Sequence, residues 1–198
     1  EEDIPRRYIS DSQCADCHPE AVESFLKTGM GHSLYKAKGA TQIENFSDSA
    51  SRVVHKKSGL HYRAYIDKDG RWWQEEALPS TGYVRAVEAV YVIGSGNHTR
   101  SYLGWVEGEL IELPLTWYVR RAIWDMSPGY AENNFRFSRP VPPKCLFCHN
   151  NLTPVRSGTE AGYFEPLAEG ISCNRCHGDG EQHIKARLAG GAFTSNEI

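Results

Sequence analysis

The pattern Cys-x-x-Cys-His occurs three times, at Cys14–His18, Cys145–His149 and Cys173–His177, and all six cysteines of the chain fall within it. None is left over for a disulfide framework, so whatever these cysteines bind must organise the fold. The pattern is the attachment signature of covalently bound c-type haem. In it two thiols bond to the porphyrin edge and the neighbouring imidazole becomes an axial ligand of the iron. Cys14, Cys17, Cys145, Cys148, Cys173 and Cys176 are therefore the expected attachment points of three covalently attached haem c groups, and His18, His149 and His177 their proximal iron ligands.

Zinc is the competing use of paired cysteines, but a closed tetrahedral site takes two pairs, and three pairs make a poor count. Histidine is 8 of 198 residues, so three pairs each followed by His arise by chance on the order of 1 time in 10,000.

Composition agrees with haem. Only 40% of residues are hydrophobic and mean hydropathy is −0.53, little for a 198-residue core. Porphyrin faces supply the missing apolar surface, and the 11% aromatic residues can pack on them. The formal charge of −3 becomes more acidic once haem propionates are added. No basic block points to nucleic acid, and no apolar run approaches the roughly 20 residues that span a bilayer. Covalent haem attachment takes place outside the cytoplasm. The start Glu1-Glu2-Asp3, unlike a basic leader, then reads as that of a mature exported protein, periplasmic or at the cell surface.

After the first motif, apolar pairs at 21/22 and 25/26 repeat at helical spacing. Pro19 suits the first turn and Gly29 and Gly31 the stop. Residues 51–76 alternate as strands, Val53–His55, His61–Ile66 and Arg71–Glu75, separated by turns at 57–59 and 67–70: a β-meander. Ala89–Ile93, Thr99–Val106 and Leu110–Tyr118 continue the strand-rich stretch, the last two as a hairpin. From about Ser127 prolines and glycines break the chain into loop, and residues 181–188 read as a final helix ending at Gly190-Gly191. The expected class is α+β: a triheme cytochrome with a β-rich middle, short helices and much irregular loop wrapped around haems. A single domain covers 1–198, with an N-terminal haem segment (1–50), the β-rich middle (51–126) and a C-terminal two-haem segment (127–198).

Low-spin electron-transfer haems need a second axial ligand each. Five histidines remain, His32, His55, His61, His98 and His183, beside Met30 and Met126. Bis-histidine ligation of all three irons is therefore possible by count, whereas two methionines cannot serve three. His183 lies six residues after His177, whose side of its own haem is already taken, so it should reach a different haem. His98 follows Gly94-Ser-Gly96, where glycines let backbone approach a flat cofactor. His55 ends a meander strand and His32 follows the first helix. His98 and His183 rank first as distal ligands, then His55 and His32, with His61 last.

Tyr91-Val-Ile-Gly-Ser-Gly-Asn-His-Thr-Arg-Ser-Tyr-Leu103, Glu112-Leu-Pro-Leu-Thr-Trp-Tyr118, Met126-Ser-Pro-Gly-Tyr130, Cys145-Leu-Phe-Cys-His-Asn150 and Gly170-Ile-Ser-Cys-Asn-Arg-Cys-His-Gly178, together with His183, resemble a known family. They are similar to the multihaem cytochrome c family of exported bacterial proteins that often carry tetratricopeptide repeats after the haem domain. The resemblance covers roughly residues 8–185. It implies that His55, His98 and His183 correspond to recurrent family histidines. His32 stands where other members often carry a different residue.

The expected function is that of a triheme electron carrier outside the cytoplasm, without substrate chemistry of its own. Its partners are redox proteins, and no nucleic acid or membrane span is expected. A ligand surplus raises a sharper version, in which one histidine crosses to the next copy and propagates a conductive filament. The competing class is a redox enzyme acting on a small nitrogen or oxygen species at an iron with an open axial position.

Overall fold

The computed structural model describes residues 10–151, 155–178 and 180–190. Glu1-Glu2-Asp3 and Gly191 lie outside the described residues. The fold is α+β. Its strands form two antiparallel sheets, of four and of seven strands among the described residues.

The smaller sheet is the meander read from sequence: β2 (Arg52–His55), β3 (Leu60–Ile66), β4 (Trp72–Leu78) and β5 (Tyr83–Ala89), paired in that order. Alternation drives it. Leu60, Tyr62 and Ala64 of β3 and Trp72, Gln74 and Glu76 of β4 all point inward, as residues two apart on a pleated strand must. The strand β5 was not expected from the sequence.

The larger sheet runs β1 (Leu34–Lys36), β6 (Tyr91–Ile93), β7 (Thr99–Val106), β8 (Glu109–Glu112) and β11 (Arg139–Pro140). Beside these, β9 (Leu115–Tyr118) pairs with the start of β7 and β10 (Ile123–Met126) pairs with β9. The expected strand Leu110–Tyr118 is thus two strands, broken around Leu113-Pro114. Proline donates no ladder hydrogen bond, and Ser127 N–H bonds the Pro114 carbonyl at 2.7 Å instead.

This sheet is covered on both faces. One face packs on the meander through Tyr102, Ile111, Trp117 and Trp124 against Tyr62, Trp72 and Val87. Gln74 stitches the layers, its amide donating to the Leu115 carbonyl and its carbonyl accepting from the Leu115 N–H, each at 2.8 Å. Gly104 of β7 lies so close to the Glu88 carbonyl of β5 that a Cβ there would overlap it. The other face, Leu34, Tyr91, Leu103 and Leu110, packs on the C-terminal segment through Val141, Leu146, Tyr163 and Leu167.

The helices are short: α1 (Asp11–Ala15), α2 (Pro19–Leu26), α3 (Pro143–His149), α4 (Asn174–His177) and α5 (Glu181–Leu188). The helices α2 and α5 match the sequence expectation, although α2 ends at Leu26, before its glycines. The segment from Ser127, expected as loop up to the last helix, contains α3 and α4, each built on a cysteine motif. Among the described residues no helix is long and apolar enough to cross a membrane.

Candidate haem-binding site

Each motif is a single helical turn. His18 N–H bonds the Cys14 carbonyl at 2.8 Å, and His177 N–H bonds the Cys173 carbonyl at 3.0 Å; the second motif ends α3. Residues three apart on a turn share a face, so each pair of thiols presents together with the histidine beside it. In all three motifs the first cysteine is half-buried and the second exposed. One edge of a bound group would thus be set against the protein and the other toward solvent.

The motifs gather at one end of the larger sheet, clamped by the strap after α2. Ser33 Oγ donates to the His149 carbonyl at 2.8 Å. Ile171 N–H bonds the Met30 carbonyl at 3.1 Å and Gly170 N–H bonds the Leu34 carbonyl at 2.7 Å. Gly170 has φ +62° and passes so close to the Gly31 carbonyl that no side chain fits.

The third motif touches both others. Cys173 N–H donates to Asp11 Oδ1 at 3.1 Å, and the Asp11, Cys14 and Cys173 ligand atoms all lie within 4.8 Å of one another. On its other side Arg175 donates to the Phe147 carbonyl at 3.1 Å and stacks its guanidinium 4.2 Å from the Phe147 ring centroid. Burial, with the Asp11 carboxylate and the Cys14 thiol beside it, pushes the Cys173 thiol up to about 12. Burial also lowers the His149 imidazole below its ordinary value, against a Ser33 backbone contact that raises it. Lowering favours the neutral ring that binds metals.

The remaining histidines fall into distinct settings. His183 on α5 stands over His18, with ring centroids 6.4 Å apart and planes 24° from parallel. Direct stacking is much closer, as His32 on Tyr35 shows at 4.0 Å and 11°. Two imidazoles bound end-on to one metal, at about 2 Å per metal–nitrogen bond, stand roughly 6 Å apart. The His18–His183 pair has that spacing. His32 lines an open cleft of about 330 Å³ between Lys27 and Gly29 on one side and Ser95 and Asn97 on the other. His98 is exposed next to Asn97, at the end of the loop in which Gly94 and Gly96 adopt φ +111° and +89°. His61 is exposed on β3.

His55 differs from all of these. It is buried, its Nδ1 lies 2.8 Å from Ser58 Oγ and its Nε2 3.2 Å from the Ala131 carbonyl. Nδ1 serves the turn between β2 and β3 and Nε2 holds the 131–137 loop on the meander, and iron binding would require one of those bonds to break. Met126 is buried in the inter-sheet core.

The surroundings fit a large flat apolar group. Leu26, Met30 and Phe147, on the segments that carry or flank the first and second motifs, expose 49, 53 and 51% of their surface, apolar area that a flat group held there could cover. The Asp11, Cys14 and Cys173 cluster offers a carboxylate and two thiols, a three-ligand set that covalent attachment of the thiols abolishes. Sequence reasoning missed Asp11, because nothing near position 11 signals contact with residue 173.

The family model described as cytochrome c554 and c-prime matches residues 130–178, the stretch with the second and third motifs. Among curated proteins no sequence matches significantly. The solved structure of the outer cell wall cytochrome OcwA has a similar fold, with a TM-score of 0.56 at 15% identity over 96% of this chain. This chain spans 35% of the length of that cytochrome. The family match over the second and third attachment motifs and the fold shared with a solved cytochrome both support a multihaem c-type cytochrome family.

Proposed function

We propose that the chain, acting as one unit over its full length, binds three haems and relays single electrons between them outside the cytoplasm. The carrying observation is the 6.4 Å spacing of His18 and His183. It suits an iron closed by two imidazoles, a site for electron passage rather than substrate binding. Bound haem supplies one-electron chemistry at iron. The chain's residues fix where that happens: six thiols tether, His18, His149 and His177 ligate from one side, and His183 closes the first iron. His32, which lines the open cleft, and exposed His98, next in the chain to Asn97 at its rim, are the remaining donors for the other two.

Export follows from the site of covalent attachment, and redox proteins are the partners such a relay needs. Exposed His61 supports an extended form of the reading. It is a spare donor on the outer face of β3, placed to ligate an iron of a neighbouring copy and propagate an extracellular filament. A redox enzyme would instead need an iron with an open axial position.

Absorption spectra of the oxidised and reduced protein, with haem-to-protein stoichiometry, test the reading. Three haems per chain, all low-spin, are expected. Colourless protein or bound zinc overturns it, and a high-spin signal that shifts with added nitrite or hydroxylamine favours the enzyme. Electron microscopy of the purified protein decides between single particles and filaments.

A further inference from the structure

Asp11 is a part-buried carboxylate inserted between two attachment sites far apart in sequence. Its Oδ1 accepts the Cys173 N–H at 3.1 Å, and its carboxylate shares a 4.8 Å cluster with the Cys14 and Cys173 sulfurs. Once attached, those two sulfurs are thioethers on two different porphyrin edges. The carboxylate therefore sits against both, and among the described residues the cysteines of the second motif are not part of this cluster.

We infer that Asp11 is a shared electrostatic tuner of the first and third haems, holding their attachment edges together and lowering both reduction potentials relative to a neutral residue. The inference rests on the triheme reading. Its physics is simple. A fixed negative charge beside a porphyrin stabilises the oxidised iron, which carries one more positive charge, and net charge near a redox centre is one of the protein's levers on potential. The position of Asp11 opposite the Cys173 N–H makes the charge immobile. The third motif touches the first through Asp11 and the second through Arg175 and Phe147.

The test is a redox titration of holoprotein carrying Asp11→Asn, which keeps the acceptor for Cys173 N–H but removes the charge. Three haems should be retained by intact mass, two of the three midpoint potentials should rise, and the third should stay. Asp11→Glu, which restores the charge, should return both toward wild type. If the amide variant does not mature, Asp11→Ser makes the same neutral change in smaller volume. Equal shifts at all three haems, or none, overturn the inference. Wild-type protein with fewer than three haems sinks the triheme reading itself, a separate outcome.

Discussion

The imidazole of His183, on the last helix, stands 6.4 Å from that of His18, beside the first pair of cysteines, with the two ring planes 24° from parallel. In the proposed relay a residue six places beyond the third motif would serve the first, and each haem segment would complete the other.

Replacing His183 with alanine should leave one haem of three without a distal ligand. The expected spectrum gains a high-spin, five-coordinate component from one haem while the other two stay low-spin. His183→Met should restore six-coordination but raise the potential of that haem alone. An alanine variant spectrally identical to wild type would remove His183 from the ligand set.

His55 should behave oppositely. His55→Phe removes the two hydrogen bonds of the buried ring, to Ser58 Oγ and the Ala131 carbonyl, at a cost of about 0.5–1.5 kcal/mol each. Thermal unfolding should shift down while the visible spectrum stays the same. A new high-spin signal would restore His55 as a ligand.

The contrast between these two histidines shows how far the sequence could be read. The cysteine motifs were legible because their chemistry lies within five consecutive residues. Distal ligation was not, because it depends on which distant segments meet, and histidine spacing carries no such signal. His183 was expected to reach a haem other than its own, but only the fold pairs it with His18. The meander was legible through alternation and the Asp67–Gly70 turn. In contrast, β5 was missed because Val84, Arg85 and Ala86 are all exposed and interrupt the period of two. The helices α3 and α4 were missed because one or two turns hold too few residues to show a helical period.

Glu44 and Arg100 form a buried ion pair at 3.0 Å, their side chains 0 and 6% exposed, and Glu44 also accepts from Tyr102 at 2.8 Å. Removing one partner strands a charge in the interior. Arg100→Met should therefore destabilise the protein by about 3–5 kcal/mol, read from urea denaturation. The double variant Glu44→Gln with Arg100→Met should recover part of that loss, because the stranded charge is gone. Equal stability of Arg100→Met and wild type would show the pair to be hydrated in solution.

Asp67 sets the acid limit of the meander. Its carboxylate accepts the Asp69 and Arg71 backbone N–H groups, Arg71 Nε and the Trp73 indole N–H, each at 2.9 Å. Burial works against ionisation here, but the four donors outweigh it and hold the carboxyl down to about 2, from 3.8. The folded value lies below the unfolded one, so the stabilisation is fully present above about pH 4 and is lost as pH falls through about 2. Asp67→Asn should be less stable than wild type at neutral pH, with the two unfolding curves converging toward pH 2. A difference that stays constant across that window would mean the turn's geometry, not the charge, carries the effect.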